Sequence, residues 1–540
     1  MSAFPQRGGL RFVAVCAGNV LEWQALTIYQ LMQAGASLQT VARLPDNDSA
    51  LAAFARRFGL VSHMQANRSS IVPTDCSDAD LPAMFASQRP DFVLSFQPLA
   101  LSWRDLPYGV WYLSLSDLQR FSTAVPGFWE IYYGDDVTAA TLVRNDEQGA
   151  TVLKTAFLAT LPYSLQDSVE RLCATAVTLP AQICAEIAQG IADLQGQRMT
   201  KPATHYGYPA QSELRRFDEI VSRNKRARES RARRFRIDWN IALIAQNPAA
   251  LIGGHRPEPM QILCKTTDDQ YFADPFVFER DNEPLVFCER YSYSTDKGSI
   301  AVFPLPKNQL AKPVVVIDEP YHLSYPQVFE ADGTIWCMPE SSAVRELSLY
   351  RAIEFPLRWE KAHTLLDDFA AVDATLLRAP DGWWIFCTNE DEGYNSHLYV
   401  FFADALLGPW QPHPKNPVKI DVRSAGSAGP CIQLDGAIYR PAQDCSHTYG
   451  GLIRINKLCV LTRADYREEV VAAVGPPNGA YREGIHAISG FDSRSVVDVK
   501  RYVLSARVVT RSLRATLGKT ARKFGLLGGA GRSADHQIRQ

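Results

Sequence analysis

The sequence predicts a multidomain protein in which an α/β domain is followed by an all-β five-bladed β-propeller. At 540 residues the chain is too long for one hydrophobic core. Strand-like and helix-like runs alternate up to residue 200, and a hairpin pattern then recurs roughly every 50 residues. We expect the α/β domain at residues 8–200, a basic linker at 201–236, the propeller at 237–503 and a basic tail at 504–540.

The composition is that of an ordinary soluble globular protein, with 46% apolar residues, 21% charged residues and a net charge of −2. This charge argues against a nucleic-acid partner. The eleven cysteines form no C-x-x-C pair and the ten histidines form no zinc-binding motif, so we expect reduced thiols and no metal site. The sequence shows neither a secretory signal nor a membrane-spanning apolar run, which predicts a cytoplasmic protein.

The first domain opens with a strand-like run at Arg11–Ala17 and a helix-like period through Leu31. A second apolar run occupies Phe92–Phe96. Alternation of this kind is typical of an α/β domain with a parallel sheet.

The linker is strongly basic, with ten Lys or Arg residues between Arg215 and Arg236 and only three acids. Two interpretations stay open. The segment is either a site for phosphate or an anionic surface, or a solvated connecting helix.

Four stretches of the C-terminal half share one pattern of an apolar strand, a polar turn and a second apolar strand. They read DPFVFERDNEPLVFCE from Asp274, YPQVFEADGTIWCMPE from Tyr325, DATLLRAPDGWWIFCT from Asp373 and AGPCIQLDGAIYRPAQ from Ala428. A weaker fifth copy, HAISGFDSRSVVDVKR, starts at His486. The starts lie 51, 48, 55 and 58 residues apart, which is typical of propeller blades. A strand at Trp239–Ile244 is expected to pair with the last copy and close the ring.

The innermost strand of a propeller blade lines the central channel, so residues at one register of the repeat should meet there. The first positions are Asp274, Tyr325, Asp373, Ala428 and His486, and the positions fifteen residues later are Glu289, Glu340, Thr388, Gln443 and Arg501. Four carboxylates are therefore expected to converge as catalytic residues: Asp274, Glu289, Glu340 and Asp373. Burial and like-charge repulsion would raise their pKa values. The alternative is that some of them cap turns or face solvent at blade edges.

Paired carboxylates are the groups used in glycosyl transfer and glycoside hydrolysis, one as a base and the other as an acid. Polar residues near the same register are predicted to bind substrate, namely Tyr325, His322, Arg440, Gln443, Asp444 and His486. The arginine would hold a phosphate or carboxylate of a donor. The donor that this interpretation predicts is a sugar nucleotide.

Five segments of this half carry a resemblance to known families: FADPFVFE, HLSYPQVFEADGTIWCMPES, DATLLRAPDGWW, YRPAQDCSHTYGG and GIHAISG. They resemble the N-terminal propeller domain of glucosamine inositolphosphorylceramide transferases and, less closely, the five-bladed propeller of glycoside hydrolase family 43.

The hydrolase resemblance implies two catalytic aspartates, which match Asp274 and Asp373, and an acid Glu in an E-G-P motif. That motif reads Ala428-Gly429-Pro430 here. Loss of a general acid costs about 10²–10⁴-fold in rate. The resemblance therefore favours transfer or binding over hydrolysis, unless Glu340 or Glu289 replaces the acid.

The first domain is similar to the Rossmann-like N-terminal domain of formyltransferases, in the segments PDFVLSF, GVWYLSLSDL and AVPGFWEIYYGDDVTAATLVRND. The N-x-H-x-S stretch of that family reads YLSLS here, so Tyr112 and Ser114 stand in place of the catalytic Asn and His. The catalytic Asp falls near Ala150, with Asp146 as the nearest acid. The resemblance implies a formyltransferase-like fold without formyltransferase activity.

From Lys500 to the end there are ten Lys or Arg and one acid, and four apolar residues recur four positions apart. This pattern predicts either a basic amphipathic helix that rests on an anionic membrane or a terminal helix packed on the protein.

Together these features favour a glycosyltransferase-like enzyme that builds a cell-surface polysaccharide or glycolipid, in the cytoplasm or at the inner face of the membrane. The alternatives are an inverting glycoside hydrolase of the family 43 type and a non-catalytic glycan-binding or scaffold protein.

Overall fold

The computed structural model describes residues 9–45, 49–60, 71–99, 105–146, 149–199, 204–253, 257, 260–305 and 309–505. The chain forms two compact units that divide between residues 225 and 226. The predicted tail, apart from its first two residues, lies outside the described residues. None of the helices in the described part of the chain is both long and apolar enough to cross a membrane.

The first unit contains a mixed sheet with helices between its strands. Its elements are β1 (Arg11–Ala17), α1 (Glu22–Gln33), β2 (Ser37–Leu44), α2 (Ser49–Phe58), β3 (Thr74–Asp75), α3 (Leu81–Gln88), β4 (Phe92–Ser95), β5 (Val110–Ser114), β6 (Phe121–Thr123), α4 (Phe128–Tyr133), β7 (Val137–Asp146), β8 (Gly149–Ala159), α5 (Leu165–Ala176), α6 (Leu179–Ala188), β9 (Gln197–Arg198) and β10 (Thr204–Tyr206). Helix α7 (Gln211–Arg234) runs across the boundary between the two units.

Strands β3, β2, β1, β4 and β5 pair in parallel in that order, and β7 and β8 continue the sheet antiparallel. Stacked rings fill its core, with centroids 5.4 Å apart for Phe12 and Phe92 and 4.1 Å apart for Phe92 and Trp111. The predicted alternation of strands and helices with parallel pairing is thus present. The formyltransferase-like assignment stays a prediction, with Tyr112 and Ser114 on β5, Asp146 at the end of β7 and Ala150 on β8.

The second unit is almost entirely β. Its elements are β11 (Phe235–Ile244), α8 (Pro248–Ile252), β12 (Met260–Ile262), β13 (Gln270–Arg280), β14 (Glu283–Ser292), β15 (Lys297–Pro304), β16 (Val314–Ile317), β17 (Ser324–Ala331), β18 (Thr334–Glu340), β19 (Glu346–Glu354), β20 (Arg358–Asp367), β21 (Ala371–Ala379), β22 (Gly382–Asn389), α9 (Glu390–Gly393), β23 (His397–Ala403), β24 (Gln411–Pro412), β25 (Lys419–Asp421), β26 (Ile432–Leu434), β27 (Ala437–Asp444), β28 (Leu452–Leu461), β29 (Tyr466–Val474), β30 (Ile488–Phe491) and β31 (Arg494–Leu504).

These strands form a β-propeller, as predicted. Within the described residues, four antiparallel sheets of four strands are seen: β12-β11-β31-β30, β13 to β16, β17 to β20 and β26 to β29. A further antiparallel group, β21 to β24, lies between the last two of these along the chain. The first sheet joins both ends of the unit, because β11 pairs with β31 over ten positions. A count of five blades stays a prediction, with β21 to β24 as the remaining one.

The hairpin turns explain why the repeat folds in this way. Consecutive left-handed residues occupy the turns at Asp281-Asn282, Asp332-Gly333 and Asp435-Gly436, with φ between 49° and 75°. Two such residues in succession define the type I′ turn, whose twist matches that of paired strands. The polar turns that marked the repeat are therefore the residues that reverse the chain.

Candidate functional site

The first positions of three copies share an unusual backbone conformation. Asp274, Tyr325 and Asp373 have φ values of 51°, 46° and 50°, and the strand register shifts at each of them. Left-handed residues other than glycine cost of the order of 1–3 kcal/mol and concentrate at functional sites. In the fourth copy the left-handed residue is Gly429, one position after Ala428, so the predicted register is displaced by one residue there.

Polar side chains from neighbouring copies satisfy the backbone at these positions. Asp498 accepts a hydrogen bond from the N–H of Asp274 (3.0 Å), and Asp274 accepts one from the N–H of Tyr325 (3.3 Å). Glu340 accepts one from the N–H of Asp373 (2.9 Å). The carboxylates therefore link copy to copy, and this structural role offsets part of the cost of burying them.

His486 lies between two carboxylates. Its Nδ1 is 2.5 Å from Oδ2 of Asp498, and its Nε2 is 3.4 Å from Oδ1 of Asp274. All three side chains are buried, and Oδ1 of Asp274 has no hydrogen bond among the described residues. The ring of His486 also stacks on Trp239, with centroids 4.1 Å apart. The imidazole is thus held in one plane, with its Nε2 directed at Asp274.

The remaining predicted carboxylates join the same cluster. Gln443 donates a hydrogen bond to Oδ2 of Asp373 (2.6 Å), and Ser342 donates one to Glu340 (3.0 Å). Oε1 of Glu289 lies 3.4 Å from Nε2 of His322. We call Asp274, Glu289, Glu340, Asp373, His486 and Asp498 the axial cluster.

Burial is the largest influence on the pKa values of Asp274, Glu289, Glu340 and Asp373, and it raises all four. It raises the pKa of Asp274 to about 6, where His486 opposes the rise and Asp498 adds to it. It raises the pKa of Glu340 to about 7, partly opposed by the N–H of Asp373. Burial, together with the neighbouring carboxylates, raises the pKa values of Glu289 and Asp373 well above their ordinary range.

The pKa of His486 is also raised. Burial opposes the charged imidazolium, but the charges of Asp498 and Asp274 outweigh that effect. The axial cluster therefore combines protonated carboxyl groups with a histidine–carboxylate pair near neutral pH. Such a set can both remove and donate a proton, which is the requirement for general acid–base catalysis.

A metal ion is not needed to explain this geometry. Ligand-type atoms of Asp274, His486 and Asp498 lie within 4.8 Å of one another, and no other described residues form such a group. The contact between His486 and Asp498 is only 2.5 Å long. Two separate ligands held about 2.0–2.6 Å from one ion would normally lie farther apart. The arrangement fits direct ionic contacts of His486 with the two aspartates, and the expectation of no metal stays a prediction.

Two predicted substrate residues are engaged elsewhere. Arg440 is fully buried and pairs with Glu468 at 2.7 Å, while Asp444 pairs with Arg454 at 2.9 Å. Within the described part of the chain, no hydrogen bond or ion pair joins either of them to the axial cluster, and Arg440 forms a buried ion pair instead. Tyr325, His322, Gln443 and His486 do contact the cluster or its backbone.

Three further positions of the repeat register contact residues outside the axial cluster: Thr388, Ala428 and Arg501. Arg501 pairs with Asp238, and Thr388 donates its hydroxyl to the carbonyl of Tyr394. Ala428 is fully buried in an apolar cluster. The position that the hydrolase resemblance assigns to the acid therefore holds a buried methyl group.

Asp498 is the functional residue that sequence reasoning missed. A signal was present, since Asp498 interrupts the apolar run Val496–Val499, whose valines are all fully buried. A charged residue in such a strand needs a buried partner. The partner, His486, lies twelve residues earlier in the same copy.

Substituting Gly298 should disturb one side of the axial cluster. A Cβ atom there would lie 2.4 Å from the carbonyl oxygen of Leu323 and 2.6 Å from Oε1 of Glu289. We expect Gly298→Ala to destabilise the protein by about 1–3 kcal/mol through overpacking. Gly475→Ala is the matched control, because nothing lies within 4 Å of its Cβ. Equal melting temperatures for the two variants would contradict the close packing around Glu289.

The raised carboxyl pKa values predict that stability falls as the pH rises. The pKa of Glu340 is 4.5 without the fold and about 7 within it, so its contribution is complete below about 4.5. That contribution is lost as the pH rises through about 7. We expect the melting temperature to fall between about pH 5 and pH 8, and to fall less in Glu340→Gln. The exposed Glu330 of β17 provides the control, and Glu330→Gln should keep the wild-type slope.

Comparison with known proteins points to the second unit. Residues 261–500 match the family described as "Glucosamine inositolphosphorylceramide transferase 1, N-terminal". The protein of that name from Arabidopsis thaliana is 35% identical over 206 residues, which are 37% of this chain and 27% of the relative. The protein from Oryza sativa subsp. japonica is also 35% identical, over 205 residues and 27% of its length. The matched region thus spans about a quarter of these curated relatives.

Solved structures with some likeness to the chain are glycoside hydrolases. A family 117 glycoside hydrolase from Zobellia galactanivorans is 10% identical, with a TM-score of 0.33 over 51% of this chain and 93% of that one. The catalytic domain of a Coprinopsis cinerea GH62 α-L-arabinofuranosidase is 13% identical, with a TM-score of 0.33 over 49% and 98%. A thermostable family-43 glycoside hydrolase is 14% identical, with a TM-score of 0.30 over 38% and 77%.

Proposed function

We propose that this protein is a carbohydrate-active, glycosyltransferase-like enzyme of cell-surface polysaccharide or glycolipid biosynthesis. Two findings support the proposal: the similarity of residues 261–500 to relatives named as transferases, and the axial cluster. The single observation that carries it is that His486 lies between Asp274 and Asp498, next to carboxyl groups whose pKa values are raised.

In the proposed step, Asp274 with His486 removes the proton from an acceptor hydroxyl. The acceptor oxygen then forms a bond to the anomeric carbon of the donor sugar, while the bond from that carbon to the leaving group breaks. The leaving group departs with the electron pair. A nucleotide or phosphate leaves without acid help, whereas a poorer leaving group would take a proton from Glu340 or Asp373.

Transfer is favoured over hydrolysis because Ala428 fills the place of the hydrolase acid with a buried methyl group. An inverting hydrolase is the second candidate, since the pKa of Glu340, about 7, would let that residue act as the acid instead. A non-catalytic glycan-binding protein is the third.

The wider setting is part of the same proposal. Five blades form the propeller, the first unit has a formyltransferase-like fold without formyl transfer, and a sugar nucleotide is the donor. The protein works in the cytoplasm at the inner face of the membrane, where glycolipid acceptors are exposed. The basic tail, residues 504–540, contributes contact with anionic lipid.

A labelled-sugar assay tests this function. Purified protein is incubated with sugar nucleotides and with lipid or polysaccharide acceptors, and label is followed into acceptor and into free sugar. We expect transfer in the wild type and about a 10²–10⁴-fold loss in Asp274→Asn, which removes the base. Asp373→Asn should lose as much only with a donor whose leaving group needs a proton. Glu279→Gln, an exposed carboxylate on the same strand as Asp274, is the control and should stay active.

Each other outcome selects a different candidate. Release of free sugar without transfer, lost in Glu340→Gln, would establish the hydrolase. Ligand-induced stabilisation without turnover would favour the glycan-binding protein, because a ligand at 100 times its Kd adds about 2.7 kcal/mol to the stability. Normal transfer by both aspartate variants would exclude the axial cluster as the site.

A further inference from the structure

The second half of α7 is strongly basic and lies outside the axial cluster. Residues 223–234, here called the basic segment, contain one acid, Glu229, and seven basic residues. All seven are exposed: Arg223, Lys225, Arg226, Arg228, Arg231, Arg233 and Arg234. The whole chain has a net charge of −2, so positive charge is concentrated on this helix.

Within the basic segment, one acid accompanies seven basic residues. Glu229 lies 3.5 Å from Arg233, and both side chains are largely exposed. Like charges three or four residues apart, such as Arg223 with Arg226 and Arg231 with Arg234, destabilise a helix. An anionic partner would remove this repulsion, so the charge pattern is suited to a polyanionic surface.

An exposed apolar side chain lies where the basic segment ends. Leu504 is 71% exposed and pairs with Phe235, the residue that follows α7. The N–H of Ser505 donates a hydrogen bond to the carbonyl of Arg234 (3.0 Å). The sequence then continues from Ser505 into residues 506–540, which contain eight further Lys or Arg and one acid.

We propose that the basic segment and Leu504 form a docking surface for an anionic lipid bilayer. Basic side chains near an exposed leucine are what an interfacial membrane anchor uses. Proteins that hold single-stranded nucleic acid interleave their basic residues with aromatic ones, and the basic segment contains no aromatic residue. Binding of this surface to a bilayer requires no turnover at the axial cluster. The docking proposal can therefore be tested separately from the proposed function.

Vesicle co-sedimentation of the full chain tests this surface, with phosphatidylcholine vesicles that contain or lack phosphatidylserine. We expect binding only to the anionic vesicles, and weaker binding as salt is added. Four exposed basic residues are changed to Gln in one variant, called the helix variant: Arg223, Lys225, Arg226 and Arg234. Each charge near the surface is worth about fivefold in affinity, so losing four of them should weaken binding by roughly 600-fold.

Two further variants keep the result unambiguous. A propeller control changes four exposed arginines of the sheets to Gln: Arg280, Arg358, Arg378 and Arg467. It should bind like the wild type, as should Asp274→Asn, and melting temperatures verify folding of every variant. The proposal is overturned if the helix variant binds normally. It is also overturned if substitutions in the tail alone abolish binding, at Arg507, Arg511, Arg514 and Lys519. Tighter binding of duplex DNA than of anionic vesicles would overturn it as well.

Discussion

Asp498→Asn is expected to reduce transfer by about 10²–10⁴-fold, although Asp498 need not touch the substrate. The carboxylate of Asp498 accepts hydrogen bonds from the N–H groups of His486 and Ala487, both at 2.9 Å, and of Asp274 at 3.0 Å. It also contacts Nδ1 of His486. One buried side chain therefore fixes both the histidine and the aspartate of the proposed base.

The amide of asparagine cannot reproduce these contacts. One of its two terminal atoms is an NH₂ group, which would meet either the N–H of Asp274 or those of His486 and Ala487 as donor against donor. The variant also leaves the buried imidazole without its nearest negative charge. Removing one partner of a buried, hydrogen-bonded pair costs about 3–5 kcal/mol, so we expect a lower melting temperature as well.

The decisive measurement is the pKa of His486. If Asp498 only stabilised the fold, replacing it would leave that pKa unchanged. Asp498 raises the pKa of His486, so the pKa should fall in Asp498→Asn. The titration is followed by NMR of labelled imidazoles, with His486→Gln assigning the signal. Asp238→Asn is the control, since Asp238 is also a buried aspartate but pairs with Arg236 and Arg501. An unchanged pKa in Asp498→Asn would refute the positioning role.

The repeat could be predicted from the sequence because its cause is local. Three copies reverse the chain with a pair of left-handed residues, and the Asp-Gly or Asp-Asn pairs that favour this conformation are visible in the sequence. The period of about 50 residues then follows from the size of a four-stranded sheet. The convergence of Asp274, Glu340 and Asp373 followed from the same register.

The misplaced residues depend on contacts that a repeat register does not contain. Arg440 shares the sequence neighbourhood of Gln443, yet its partner Glu468 lies two strands away, across register shifts in β28 and β29. Gly429 takes the left-handed position of the fourth copy because a Cβ there would lie 2.0 Å from the carbonyl oxygen of Ile488. The first outcome is set by another strand of the same sheet and the second by a neighbouring sheet, and the hairpin pattern that defines the repeat specifies neither of them.

Glu468→Gln should destabilise the protein by about 3–5 kcal/mol, because it leaves buried cations without their counter-charge. Glu468 accepts hydrogen bonds from Arg440 at 2.7 and 3.0 Å, from Lys419 at 2.8 Å and from Tyr466 at 2.6 Å. Burial opposes ionisation of Glu468, but Arg440 and Lys419 outweigh it and hold its pKa at about 2. The stability that this carboxylate provides is present above about pH 4.5 and is lost as the pH falls through about 2. Melting curves should therefore converge for wild type and variant in acid.

Arg440→Met combined with Glu468→Leu separates a structural pair from a substrate contact. If the pair is structural, the double variant loses less stability than the sum of the single variants, because only Lys419, and no longer Arg440, is left without Glu468. Its transfer activity per folded molecule and its KM for the donor should match the wild type. Arg440 has no exposed surface from which to reach a phosphate, since its guanidinium also donates to the carbonyls of Ser424 and Ala425. A raised donor KM with an unchanged melting temperature would instead return Arg440 to the binding site.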